Sequence, residues 1–224
     1  RQHFRDLNVL LTSIKMYVDP GVKTLVCHTG PSPKSVGVNG PNVTFVPQSP
    51  ANKHYGDACR QLIAASEGED LLFLNDDTVL TPETWPVLAN DIRFLNDQGV
   101  KLGLLGLRSN FSAGIQNIRT QLPGDQREGM YWGAEHKIVE TDCVFGVAFY
   151  MPADAVKAAG TDWTQLHWYS DNLLSWDLKN EGFRHFVSRA YIHHHGSQSG
   201  MNYEKYLKEA HEWLKEHRPD YPLT

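Results

Sequence analysis

No stretch of this 224-residue chain is apolar for the ~20 residues that a bilayer crossing needs, and its first residues show no signal-peptide pattern. No block of Lys or Arg interrupts a net charge of −5. General nucleic-acid binding, whose usual footprint is a basic stripe, is therefore not expected. Cysteine is scarce. Cys27, Cys59 and Cys143 are odd in number, widely spaced and without zinc-site spacing, so neither a disulfide framework nor a zinc module is indicated. Each falls in an apolar stretch and reads as a buried free thiol in a reducing compartment, which makes a cytoplasmic location the expectation. There are no internal repeats and no low-complexity tract. What remains is an ordinary globular composition, 41% hydrophobic and 21% charged, long enough for one well-packed domain.

Periodicity divides the chain into alternating elements. Phe4, Leu7, Leu10, Leu11, Ile14 and Tyr17 recur at helical spacing, and Asp19-Pro20-Gly21 ends that run. Lys23–His28 reads as a short buried strand, residues 29–42 as a loop, and Val43–Val46 as a second strand. Residues 51–66 read as a helix with Gly68 just beyond it. Asp70–Leu74 is a continuous apolar run suited to a strand covered on both faces. Thr81 and Pro82 then open a helix that runs to Gly99. Lys101–Leu107 is a strand, and 109–137 is a long polar loop containing Trp132, a candidate lid residue. Residues 138–151 read as one long strand, 152–159 and 170–181 as helices, 183–194 as a strand, and Tyr203–Leu214 as an amphipathic helix. Strands alternating with helices predict an α/β fold with a mostly parallel sheet covered on both faces. Ligands of such sheets lie beyond the carboxyl ends of the strands. That rule selects the residues after Val26, after Leu74 and after Ile192.

Asn75-Asp76-Asp77 directly follows the apolar strand. Two carboxylates and an amide delivered to one sheet edge make an oxygen site suited to Mg²⁺ or Mn²⁺ and to nucleotide phosphates. The plainer reading is a turn, because Asn and Asp are favoured turn residues. Asp171 stands at a helix start, where a carboxylate is a good cap. Arg60 reads equally as a solvated helix-surface arginine. His193, His194 and His195 are consecutive, with His194 on the strand face opposite the other two.

The segment LLFLNDDTVLTPETW (71–85) resembles the DxD region of family 2 glycosyltransferases, which have the GT-A fold. The resemblance continues in order through 52–60, through the Gly146-containing strand and the short helix after it, through Ser170–Trp176 at a helix start, and through Ile192–Ser199. It implies a Rossmann-like GT-A domain over 1–224, with a nucleotide-sugar-binding half at 1–108 and an acceptor and catalytic half at 109–224. It also implies a strand preceding the first helix, and Arg1 already stands at the start of that helix. By the same resemblance Asp77 and His194 hold Mn²⁺ or Mg²⁺, with His193 or His195 as ligand if the register slips by one. Cys27, His28, Thr29, Gly56, Arg60, Asn75 and Asp76 face a nucleoside-diphosphate sugar, UDP-linked by preference. Gly146, Trp168 and Tyr169 face a glycan or other hydroxyl-bearing acceptor. Asp171 is the general base of an inverting transfer. Two departures concern the acceptor side: Ser170 stands where the family has Glu, and Asp177 where it often has Arg. The alternatives are a GT-A-like nucleotidyltransferase that makes the sugar nucleotide, and a non-catalytic carbohydrate-binding module.

Overall fold

A computed structural model describes residues 2–28, 42–47, 55–118, 136–196 and 203–223. In chain order the elements are α1 (Gln2–Tyr17), β1 (Thr24–His28), β2 (Val43–Pro47), α2 (Tyr55–Ala65), β3 (Leu71–Leu74), β4 (Thr78–Leu80), α3 (Thr84–Asp97), β5 (Leu102–Ser109), β6 (Val139–Thr141), β7 (Ala148–Met151), α4 (Ala153–Ala158), α5 (Ser170–Asn180), β8 (Arg184–His194) and α6 (Tyr203–His217). The α/β class is borne out. β1 and β2 form a parallel pair of their own. The other six strands form a mixed sheet in the order β3-β7-β5-β8-β4, with β6 also paired to β8. β3, β5 and β8 run one way. β7 runs back between β3 and β5, and β5–β8 is the parallel pairing. The 11-residue β8 uses its far side twice: β6 pairs near its start and β4 near its end, both antiparallel.

Alternation along the strands makes two cores. Phe149 and Met151 point to the face covered by α4, α5 and α6, where they meet Leu104, Leu173, Leu178 and Leu214. Ala148 and Tyr150 point to the face covered by α1 and α3, where they meet Leu10, Leu88, Leu95 and Leu105. β5 carries two glycines because two side chains lie across it. A Cβ on Gly103 would stand 2.6 Å from the His185 ring, and one on Gly106 would stand 2.7 Å from Gln116. His185 takes the place of a ladder carbonyl: its Nδ1 accepts from the Leu104 N–H (3.1 Å) while its Nε2 meets the Ser175 carbonyl (2.9 Å). Burial pushes its pKa down, which keeps the ring neutral for that double role.

One polar junction fastens α3 to β8. Asp91 has 0% exposure and accepts from Ser188 Oγ (2.7 Å), Arg189 N–H (2.7 Å) and Arg189 Nε (2.8 Å), besides Arg189 Nη2. Asp91→Ala strands these donors, and we expect a loss of about 2–4 kcal/mol in denaturant unfolding.

Two sequence expectations are corrected. Residues 138–151 form two strands, because 142–147 leave the sheet to meet α5 and Gln116: Val144 N–H bonds Ser175 Oγ (3.1 Å) and Phe145 N–H bonds Gln116 Oε1 (2.6 Å). The helix expected from Thr81 begins at Thr84 with Glu83 as its N-cap. Thr81 instead belongs to a turn, in which Thr84 N–H bonds the Thr81 carbonyl (3.1 Å). The three residues before that turn are β4, too short to show a period.

Candidate functional site

The acidic segment after β3 is a turn that leads into β4. Thr78 folds back on Asn75, its N–H and Oγ1 both bonding the Asn75 carbonyl (3.2 and 2.7 Å). β4 pairs antiparallel with the end of β8, Thr78 lying opposite His194. The His195 N–H bonds the Asp77 carbonyl (2.9 Å). As a result Asp77 Oδ1 lies 3.1 Å from His194 Nε2, with side-chain exposures of only 13% and 7%. Asp76 is exposed beside this pair and Asn75 is half-buried.

His194 is held from three sides. Its Nδ1 donates to the Phe111 carbonyl (2.6 Å), which leaves Nε2 facing Asp77. Asn110 clamps its backbone, with Nδ2 donating to the His194 carbonyl (2.9 Å) and Oδ1 accepting from the His194 N–H (2.8 Å). The Phe111 ring stands edge-on at 5.6 Å between centroids. Burial pushes the imidazole pKa down. The hydrogen bonds to Asp77 and to the Phe111 carbonyl outweigh it, and the net shift is upward. A carboxylate oxygen and an imidazole nitrogen at 3.1 Å both present lone pairs, so a cation must satisfy them, either a proton or a metal. The fixed Nδ1–H tautomer is the second-shell arrangement of metal-binding histidines, and the O/N donor pair fits Mn²⁺ or Mg²⁺. Among the described residues no group of three or more His, Cys, Asp or Glu side chains gathers at one point. Substrate oxygens and water would therefore complete such a shell.

Asp171 lies in the first turn of α5. It is not the cap residue: Tyr169 is, in the left-handed region at φ 65°. Asp171 Oδ1 accepts from the Asn172 N–H (3.0 Å), and Oδ2 reaches across the loop to the Gly146 N–H (2.9 Å). The side chain is enclosed on most sides yet keeps some surface. Burial pushes its pKa above the ordinary carboxylate value, against the pull of those two N–H groups. Tyr55 Oη donates to the Gly146 carbonyl (3.2 Å). A Cβ at Gly146 would crowd Tyr55 Oη (3.3 Å) and touch Asp171 Oδ2 at ordinary contact distance (3.5 Å). The Asn75 N–H bonds the carbonyl of Val147 (3.1 Å), next in chain to Gly146. The acidic turn and the candidate base are thus joined through adjacent residues, Val147 by a backbone–backbone hydrogen bond and Gly146 by a backbone N–H to the Asp171 carboxylate.

Other expected residues fall differently. Arg60 donates to Asp57 on its own helix (3.0 Å) and is half-exposed. Gly56 is required by packing: a Cβ there would sit 2.5 Å from the Thr164 carbonyl oxygen, so it faces backbone and not an open site. Cys27 Sγ meets Gln61 Oε1 (3.5 Å), and burial pushes its thiol pKa up. His28 stands edge-on to Phe45 at 6.2 Å, and its buried Nδ1 has no hydrogen-bond partner among the described residues. Thr29, Trp132 and residues 197–199 lie outside the described residues. Trp168 joins the α5-side core, and Tyr169 packs on His211 (5.3 Å) and Tyr221 (6.5 Å). Asp177 has its own cation: Arg218 bonds it through both Nη atoms (2.9 and 2.6 Å) and so ties the segment after α6 to α5. All three cysteines are free, and no helix among the described residues is long and apolar enough to cross a membrane.

The sequence pattern does not single out Asn110, Phe111 or Gln116. The available signal was position, since Asn110 and Phe111 sit just beyond the carboxyl end of β5. Gln116 is fully buried and spans the loop and two strands. Besides Phe145 N–H, it bonds the Leu107 (3.1 Å), Phe145 (3.3 Å) and Ala148 (3.5 Å) carbonyls. Gln116→Leu preserves bulk but strands these groups, and we expect about 2–4 kcal/mol of destabilisation in urea unfolding.

No protein-family profile and no curated protein sequence matches the chain. Among solved structures it is similar to UDP-glucose pyrophosphorylase from Acinetobacter baumanii. The TM-score is 0.50 at 10% identity, over 95% of this chain and 83% of that one. At that identity the likeness concerns the fold alone: a mixed α/β sheet between helices.

Proposed function

We propose that this chain is an enzyme of nucleotide sugars, a metal-dependent glycosyltransferase that moves a sugar from a nucleoside diphosphate to an acceptor hydroxyl. The observation that carries the reading is the joining of Asp77 and His194, paired at 3.1 Å, to an enclosed carboxylate, Asp171, through the Asn75–Val147 and Gly146–Asp171 hydrogen bonds. Asp171 takes the acceptor hydroxyl's proton as that oxygen attacks the anomeric carbon. The bond from that carbon to the phosphate oxygen breaks, the nucleoside diphosphate departs and the configuration inverts. A carboxylate with a raised pKa is the stronger base for this step. Gly146 N–H and Asn172 N–H fix its orientation and leave lone pairs on both oxygens. Asp77 and His194 would hold Mn²⁺ or Mg²⁺, which when bound neutralises the diphosphate as it leaves. On this reading Asn75 and exposed Asp76 take the ribose, and Cys27, His28 and Thr29 at the end of β1 take the base, UDP being the preferred donor. Residues 1–108 form the donor half of the domain and 109–224 the acceptor half.

A second reading is favoured by the structural comparison, because the similar structure is named a pyrophosphorylase of UDP-glucose. On that reading the chain makes a sugar nucleotide from a nucleoside triphosphate and a sugar phosphate. The two differ chemically at Asp171. A sugar phosphate attacks as an anion and needs no base, whereas an acceptor hydroxyl does. Product analysis separates them. Release of nucleoside diphosphate from UDP-sugars, with acceptor or with water, supports transfer. Release of pyrophosphate from UTP and a sugar 1-phosphate, with no UDP from UDP-sugars, replaces it with the second reading.

A further inference from the structure

Alternation along the end of β8 turns His193 and His195 to the opposite face from buried His194, and both are exposed. Their rings stand 5.2 Å apart between centroids at 80°. That separation lets one nitrogen of each ring approach a shared ion at the ~2.0–2.1 Å of a metal–imidazole bond with small rotations of the side chains. The backbone between them is pinned. Val79 pairs with His193 across the β4 ladder, the His195 N–H bonds the Asp77 carbonyl (2.9 Å), and Asn110 clamps His194 at both its N–H and its carbonyl.

The hydrogen-bond order fixes the His193 tautomer. Asn110 Nδ2 donates to the His194 carbonyl, so its Oδ1 faces the His194 N–H and the Tyr191 hydroxyl as an acceptor. Tyr191 must therefore donate its proton to Asn110 (3.3 Å), and its oxygen is left to accept from His193 Nδ1 (3.3 Å). With the proton on Nδ1, Nε2 carries the lone pair and points away from Tyr191. A histidine whose second nitrogen is held by an oriented partner is the arrangement metal sites use.

We propose that His193 and His195 form a second cation site, a two-imidazole chelate for borderline ions such as Ni²⁺, Zn²⁺ or Cu²⁺, on the face of β8 opposite His194. Imidazole pairs select these ions, whereas the Asp77–His194 side offers one carboxylate and one imidazole, with substrate oxygens to complete the shell of a harder ion. Water completes the shell. The site does not depend on the proposed transferase reading, since it uses neither Asp77 nor Asp171.

The test is calorimetric titration of Ni²⁺ into the full chain, with circular dichroism confirming that each variant is folded. The expected result is one Ni²⁺ equivalent that is independent of His194, weakened roughly tenfold or more by His193→Gln or His195→Gln and abolished by the double variant. Asp77→Asn and His194→Gln keep this binding, and Tyr191→Phe weakens it severalfold by releasing the tautomer. An unchanged number of bound equivalents in the double variant, or loss of this equivalent in His194→Gln while it persists in His193→Gln, overturns the proposal. So does a wild type that binds no Ni²⁺.

Discussion

Asp171→Asn is expected to lower turnover by about 10²- to 10⁴-fold, the usual worth of a positioned general base, while leaving donor affinity within a factor of about two. The side chain touches Gly146 and Asn172, not the Asp77–His194 pair, so the loss belongs to kcat. Asparagine keeps one oxygen for one of the two N–H groups and sets its own NH₂ against the other, a cost of about 1 kcal/mol. Relief from burying a charge offsets that cost in part. The pH dependence follows from the direction of the shift. Burial raises the folded-state pKa of Asp171, so activity falls with acidification at a higher pH than an ordinary carboxylate near ~3.9 would give. Stability runs the other way. A carboxyl whose pKa is raised on folding contributes stability that is present below its unfolded value and is lost as pH rises through its folded value. The wild type should therefore lose ground against Asp171→Asn in melting temperature as pH climbs above ~4. A variant with unchanged kcat would remove Asp171 from the chemistry.

The second large effect is expected at Asp77 and His194. Asp77→Asn and His194→Ala should each weaken metal-dependent binding of the nucleoside diphosphate by at least about 100-fold, and Asn110→Ala by about tenfold. The ordering is the informative part. Asn110 holds only the backbone of His194, so it acts through orientation, and its loss should be milder than loss of either ligand. If Asn110→Ala and His194→Ala are both silent while Asp77→Asn is not, the histidine is not a ligand. Isothermal titration of UDP in the presence of Mn²⁺ reads all three.

How much of this was legible beforehand depends on sequence distance. The strand ending at Leu74 and the helix starting at Ser170 announce themselves by composition, and both candidate centres sit at their ends. Asp77 and His194 are 117 positions apart (194 − 77), yet each follows or ends a strand, so the strand-end rule placed both at one sheet edge. Three things had no local signal. β4 is three residues long and exists because β8 offers it an edge. The break at 142–147 arises because Gln116 and Ser175, from remote elements, capture the Val144 and Phe145 N–H groups. The support of His194 by Asn110 and Phe111 comes from the turn just after β5, whose short sequence carries no pattern of its own. Arg60 and Gly56 show the converse limit. Their residue types suit a phosphate site, and they suit equally an ion pair with a neighbouring aspartate and a close approach to the Thr164 backbone.

The most direct test of the account is a thermal-shift series with UDP, GDP, dTDP and CMP, each with Mn²⁺, with Mg²⁺ or with chelator. A ligand that binds only the folded state raises the melting temperature by mass action, by about 2.7 kcal/mol of stabilisation at a concentration 100 times its Kd. The account predicts a shift for a nucleoside diphosphate that requires metal and vanishes in Asp77→Asn. No shift with any nucleotide, or an equal shift in chelator, would contradict it.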